Sequence, residues 1–531
     1  MDIHERRIFK GTISVSHGVI TGIESERSVP DVFVMPGLID AHIHIESSMV
    51  TPGAFALAAV KHGTTAVVSD PHEIANVLGP EGIVFMIEDS QKVPLKFYFG
   101  APSCVPATAF ETSGAGIGSD IVDGLMKRPD IYYLSEMMNY PGVIYNDPEV
   151  LKKLEAARQA GKKIDGHAPG LTGDSLKKYI RSGISTDHEC STLEEALEKI
   201  ADGMKIIIRE GSAARNLDAL KELVRIHPGK IMLCSDDLHP EMLKVRHINK
   251  LISQLISEGY DLFDVIRSAT LNPAEHYNLK TGSLRVGDPG DIIVVDEPSK
   301  MNVLETWIDG EKVFGEGTTL FDYKPGAAVN KFNCNLVKPG DIMLAAKSEQ
   351  VRVIKAHEGE LLTGEYTWAH RQNVNLKSDI SADILKIIVK DRYNDGPPAV
   401  AFINGFGLKK GAFASSIAHD SHNIICVGTN DTDIINAVNR VIEIKGGLSV
   451  SDSGKTESLQ LNIAGIMSTR SCDEIAGDYE HLNAIVKSFG CPMKAPFMTL
   501  SFMALLVIPD LKISDRGLFD VRKFGFVPLF I

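Results

Sequence analysis

Residues 38–46 read LIDAHIHIE, and this short stretch decides the architecture. Its first half is an apolar run of the kind that fills a buried strand, while its second half sets His42, His44 and Glu46 at alternate positions. Side chains alternate across a strand, so residues two apart share a face and the two imidazoles converge on one point. Such convergence suits a metal ion, provided that further ligands arrive from other strands.

Outward from this stretch, apolar β-rich runs alternate with amphipathic helical patterns between about residues 38 and 280. Eight strands are expected: LIDAHIH, TTAVVSD, LKFYFGA, IYYLSE, KIDGH, ISTDH, MKIIIRE and KIMLCSD. Segments such as DPEVLKKLEAARQAG and TLEEALEKIADG lie between them as helices. The pattern predicts an α/β fold, a (β/α)8 TIM-type barrel over residues 36–281, whose chemistry sits at the C-terminal strand ends. An open doubly wound sheet would instead gather polar residues at one switch point beside a Gly-rich phosphate turn. Here they recur at the end of nearly every strand.

Short strands with turn residues flank this segment on both sides. Residues 1–35 and 282–330 together predict a small β-sandwich made from two distant stretches, and residues 335–531 predict a C-terminal α+β domain. The seven cysteines lack any C-x-x-C pair, which favours reduced thiols and a cytoplasmic protein. A formal charge of −14 without a basic patch argues against nucleic acid. The N-terminus MDIHERRIFKG is charged where a signal peptide is apolar, and the run FMTLSFMALLVIP falls short of a membrane span and reads as core. A small-molecule partner remains, with assembly into a homo-oligomer expected.

Other strand ends supply further ligand types: Glu136 after strand four, His167 after five, His188 after six and Asp236 after eight. Two divalent ions fit this set, with His42, His44 and Asp236 on one, His167 and His188 on the other, and Glu136 bridging. A bridging carboxylate and hydroxide hold such ions about 3.5–4 Å apart and generate a nucleophile at neutral pH. A single histidine at a strand end is more often a hydrogen-bonded rim residue, so the reading rests on the six residues jointly.

The second strand adds Asp70, His72 and Glu73. Pro71 cannot continue the strand, so the chain leaves it there and presents His72 and Glu73 over the mouth. The competing reading is that Glu73 favours a helix N-terminus. His239 follows Asp236, with a loop hydrogen bond as its bland role. Arg209 and Glu210 end strand seven as a rim ion pair, and Ser212 and Asn216 follow where a small ligand could be gripped. In HDSHN, His419 and His422 are expected to form only a local turn.

The stretches MPGLIDAHIHIESSM, VVSDPHEIANVLG, LSEMMNYPGVI, DGHAPGL, STDHEC and MLCSDDLHP, with FINGFGLKKGAFASSIAHDSHNI in the tail, resemble the adenine deaminases of the amidohydrolase superfamily. The resemblance covers nearly the whole chain, although the N-terminal segment is short for the family. It implies hydrolytic deamination of adenine to hypoxanthine and ammonia by a metal-bridged hydroxide, as in purine salvage, with two manganese ions, or ferrous iron or zinc. Asp236 would take the water proton, while Glu73, His72 or His239 would deliver protons to the ring and the leaving group. Asp70, Arg209 and Ser212 would face the substrate. The alternative is a cyclic-amide hydrolase of the dihydroorotase or hydantoinase kind, which typically bridges its metals with a carboxylated lysine at the strand-four position. IYYLSEMMN contains no lysine. A catalytically dead barrel kept for assembly would be expected to have lost ligands, and none is missing.

Overall fold

The computed structural model describes residues 1–370 and 375–531; residues 371–374, within the expected C-terminal domain, lie outside the described residues. The strands β1 (Gly11–Ser16) and β2 (Val19–Ser25) form an antiparallel hairpin, and β3 (Phe33–Pro36) leads into the central parallel strands. These are β4 (Leu38–Ile43), β5 (Thr64–Ser69), β6 (Lys96–Ala101), β7 (Tyr133–Met137) and β8 (Lys163–Gly166), which pair in chain order. A second parallel sheet contains β9 (Thr186–Asp187), β10 (Lys205–Arg209) and β11 (Ile231–Cys234). The eight coincide with the apolar runs read from the sequence.

Isolated parallel bridges, Ile164 with Ile184 and Ile43 with Asp236, link the two sheets at both margins. At the second margin Asp236 N donates to His42 O at 3.0 Å and His44 N to Asp236 O at 3.3 Å. Strands β4, β5 and β11 are buried along their whole length, as expected of parallel strands covered on both faces. The intervening helices carry their own start signals. Thr192 caps Leu193–Ala201 by accepting from Glu195 N, and Asp147 caps Pro148–Gln159 by accepting from Glu149 N and Val150 N.

Four later strands, β12 (Ile292–Val295), β13 (Val303–Ile308), β14 (Glu311–Gly315) and β15 (Thr318–Thr319), pair antiparallel, and β3 completes their sheet beside β12. Segments from both flanks of the parallel strands therefore share one sheet. The β1–β2 hairpin stays separate from it, tied by Ile20 N to Asp288 O at 2.9 Å and Gly290 N to Gly18 O at 2.8 Å.

An eight-stranded mixed sheet within residues 350–460 carries the helices Asp431–Glu443 and Cys472–Ser488. One hydrophobic cluster runs from Ile43 and Met137 to Phe413, Tyr479 and Leu518, so this region packs directly against the C-terminal ends of the parallel strands. The FMTLSFMALLVIP run contributes the buried helix Pro496–Ser501 and the turn Phe502–Ala504 to that interface. All seven cysteines are free, and among the described residues no helix is long and apolar enough to cross a membrane.

Candidate metal centre and substrate pocket

The strand ends bring His42, His44, Glu136, His167, His188 and Asp236 together, all buried. Glu136 lies at the middle of the group. Its Oε1 is 3.4 Å from both His44 Nε2 and His72 Nδ1, and its Oε2 is 2.7 Å from His167 Nδ1 and 3.1 Å from His188 Nε2. Asp236 Oδ1 is 3.3 Å from His44 Nε2 and 3.7 Å from His42 Nε2. Asp236 adopts a left-handed backbone (φ 54°), a conformation Asp tolerates better than most residues and one that ends β11 abruptly at the site.

The electrostatics follow from this crowding. Burial by itself raises the Glu136 carboxyl, but the His167 and His188 imidazoles outweigh it and hold the group well below the usual range. Burial likewise opposes ionisation of Asp236, and the Arg209 guanidinium followed by His44 reverses it. Burial and the neighbouring His188 and His44 keep His42 neutral, whereas carboxylate contacts lift His44 and His188 against the cost of burial.

Glu46 departs from the opening expectation. β4 stops at Ile43 and residues 45–48 turn into a 3-10 helix, so the strand alternation ends before Glu46. Its Oε1 instead accepts from Ile74 N at 3.2 Å, at the start of the helix His72–Leu78.

The second strand end behaves differently for each residue. Asp70 Oδ2 is 3.0 Å from His72 Nδ1, and its carbonyl is 3.1 Å from His44 Nδ1, so Asp70 orients both imidazoles. His72 and Glu73 line the pocket together with Glu136 and Asp236. Three other expected site residues make contacts of their own. His239 Nδ1 lies 2.8 Å from the Tyr479 hydroxyl, and burial drops its imidazole to about 3. Ser212 Oγ accepts from His239 N at 2.9 Å and so ties the loop. Arg209 borders the pocket, but its guanidinium is already engaged: Nη1 donates to Glu189 and, at 2.7 Å, to Asp236 Oδ2, while Nε donates to Ala214 O at 2.6 Å. Glu210 pairs with Arg215 instead of Arg209, and Asn216 is spent on His188 O and Cys190 O.

Two groups of residues at the site were not picked out in the sequence. Glu189, one position after His188, lies 3.3 Å from His188 Nε2 and 3.4 Å from His167 Nδ1. The pair STDHEC displayed it, but a strand frame that alternates faces points away from adjacent residues. The second group comes from the far end of the chain: Leu361, His419, Asp420, Phe502 and Leu505 complete the pocket lining. The local turn expected of HDSHN does form, with His422 N donating to Ala418 O at 2.7 Å, yet it does more than turn the chain. His419 Nδ1 lies 2.6 Å from Glu73 Oε1, and His422 Nε2 abuts Glu73 Oε2. Local sequence contains no signal for a contact made across more than three hundred residues.

Behind the centre, the fully buried Lys199 ammonium donates to Ala168 O at 2.7 Å, Asp187 Oδ2 at 2.9 Å and Glu195 Oε1 at 2.7 Å. It thereby fastens the chain next to His167 to the chain next to His188. Asp40 does the same between β4 and β11, accepting from Ser235 N at 3.0 Å and facing His247 Nε2 at 2.9 Å.

The donors fit divalent ions. His42, His44 and Asp236 form one group, His167, His188 and Glu189 another, and Glu136 shares groups with both sides, each group's ligand atoms lying within 4.8 Å of one another. His42, His167 and His188 each keep a buried ring nitrogen with no hydrogen-bond partner among the described residues. Imidazole and carboxylate donors suit manganese, iron or zinc alike.

Two family models match the chain, "Amidohydrolase family" over residues 33–313 and "Adenine deaminase C-terminal domain" over residues 360–525. The protein called adenine deaminase from Methanosarcina barkeri is 52% identical over 540 residues, covering 100% of this chain and 98% of that one. The adenine deaminase of Salinibacter ruber is 50% identical, with 100% and 98% covered. Among solved structures, the β-aspartyl dipeptidase of Fervidobacterium islandicum AW-1 is similar with a TM-score of 0.46 and 16% identity, covering 59% of this chain and 95% of that one. With likeness of this extent along its whole length, the chain belongs to the adenine deaminase family of the amidohydrolases.

Proposed function

We propose that the protein hydrolyses adenine to hypoxanthine and ammonia, in a site at the mouth of a closed (β/α)8 barrel formed by β4–β11. The observation that carries this reading is Glu136, an intrinsic carboxylate set among four imidazoles and Asp236 where cyclic-amide hydrolases would place a lysine. The full-length similarity to proteins called adenine deaminase supports the substrate. In the same reading the small sheet and the region from residue 335 onward are separate domains around the barrel.

His42, His44 and Asp236 would hold one divalent ion and His167 and His188 a second, with Glu136 between them and manganese as the metal. Such a pair, when bound, lowers the pKa of water from 15.7 to about 7 and so supplies a nucleophile at neutral pH. Asp236 accepts a proton from the attacking water. Its Oδ2 is fixed by Arg209, which leaves Oδ1 facing the imidazoles and the pocket. Glu73 and His72 pass protons toward the purine ring and the amine, for which a well-placed group typically contributes ~10²–10⁴-fold. Over the whole reaction the water oxygen bonds C6, one of its protons reaches N1 and the other the departing amine, and the C6–N bond breaks. Phe502, Leu505 and Leu361 offer an apolar wall for the flat ring.

A substrate panel tests the reading. Manganese-loaded protein should release ammonia from adenine and act more slowly on adenosine, whose ribose needs room at N9. Opening of dihydroorotate or a hydantoin while adenine persists would replace the deaminase reading with the cyclic-amide one.

A further inference from the structure

The contact between Glu73 and the C-terminal region has the form of a clamp. Glu73 is buried and its two oxygens meet two different imidazoles, His419 Nδ1 at Oε1 and His422 Nε2 at Oε2. Each imidazole is itself held. His419 N donates to Ser501 O at 3.2 Å, and its ring stacks on Phe502 with centroids 4.9 Å apart and planes at 21°. His422 Nδ1 accepts from Ala418 N at 3.4 Å, which puts the proton of a neutral ring on Nε2, the atom aimed at Glu73. His422 also sits at φ 54°, a left-handed backbone position that the surrounding packing must sustain.

We propose that His419 and His422 are positioning residues that hold the Glu73 carboxylate at the pocket, so that the C-terminal region sets the geometry of proton transfer. The inference rests on the reading of Glu73 given above. Glu73 sits buried on the first turn of the helix His72–Leu78, and the two imidazoles mark where its two oxygens lie. Burial pulls His422 down to about 4, keeping it neutral against Glu73 Oε2, while the Glu73, Asp237 and Asp420 carboxylates overcome burial and lift His419 to about 9. Glu73 thus meets one charged and one neutral partner, and protons bound for the ring and the amine pass through a carboxylate of fixed orientation.

The test uses the full-length, manganese-loaded protein and compares Glu73→Gln, His422→Leu, His422→Gln, His419→Leu, His419→Asn and the double variant Glu73→Gln/His422→Leu. Metal content, melting temperature, kcat and KM for adenine are measured for each. Misplacing a reacting group by an ångström can cost about a hundredfold, so His422→Leu and His419→Leu should lose about that factor in kcat with KM little changed. His422→Gln and His419→Asn, which keep a donor near the same atom, should recover most of it. The double variant should be no slower than Glu73→Gln alone, because the clamp acts only through that carboxylate. Where one leucine variant fails to fold, the leucine and donor-retaining pair at the other histidine decides. An inactive Glu73→Gln beside fully active histidine variants overturns the clamp and leaves the role of Glu73 standing. A fully active Glu73→Gln overturns that role and the clamp together.

Discussion

Lys199→Met removes a single buried charge while nearly preserving shape, and its effect follows from three contacts. The ammonium bonds Ala168 O, Asp187 and Glu195, and all three residues are buried or nearly so. Its loss leaves two carboxylates facing each other without a cation, a broken buried ion pair that costs about 3–5 kcal/mol. For a unit the size of residues 36–281, unfolding entropy of about 2.1 cal/mol/K per residue gives roughly 0.5 kcal/mol/K, hence a melting temperature lower by about 6–10 °C. The damage extends to the metal centre, because Ala168 adjoins His167 and Asp187 adjoins His188. Manganese content should fall from about two ions per chain toward one, with the second site affected first. The deficit also has a pH signature. Burial would raise Asp187, but Lys199 holds it below the ordinary carboxylate range, so this stabilisation is present above about pH 4 and fades as the pH falls below it. Thermal unfolding of metal-free and loaded protein, with metal analysis, measures all three effects. An unchanged melting temperature together with two bound ions would refute the argument that this lysine holds the loops.

Glu136→Gln should lower metal content and turnover together, as measured by metal analysis beside ammonia release. Asp236→Asn should abolish ammonia release in folded protein, since no carboxylate remains there to accept the water proton; unchanged turnover would remove Asp236 from the chemistry. His239→Asn should keep kcat within a few-fold while His72→Asn loses about a hundredfold, the range of a general acid–base group. Burial, and then Asp420, raise the Glu111 carboxyl to about 8. Between about pH 4.5 and 8 the folded state therefore holds a proton that the unfolded state has lost, so stability declines as pH rises through that window, and Glu111→Gln should flatten the melting temperature measured from pH 5 to 9. Limited proteolysis should cut within FDYKPGAAVN, residues 321–330, which form no regular element and are exposed at Lys324, Pro325, Ala327 and Ala328.

The parallel strands were legible because their apolar runs are long, regularly spaced and punctuated by polar ends. The clustering of six polar residues was legible for the same reason: His42, His44, Glu136, His167, His188 and Asp236 each sit at such an end, where strand direction fixes which way the side chain points. What lay outside the strand frame was not. Glu46 followed the alternation in sequence but not in space, because the chain had already turned. His239 and Ser212 sit in loops after strands and Arg209 at the last position of β10, where neighbouring loops decide which partners a polar group finds. His419 and His422 carried only a local turn signal, and their meeting with Glu73 depends on how the C-terminal region packs over the strand ends. That packing comes from one shared hydrophobic cluster, which no single segment reveals.

The most direct test of the central claim is a manganese titration of metal-free protein, with hypoxanthine and ammonia both measured from adenine. The two products should appear in equal amounts, and their rate should climb until about two equivalents of metal are bound and then level off. Full activity in protein that holds no metal, or adenine left intact by protein holding both ions, would contradict the claim.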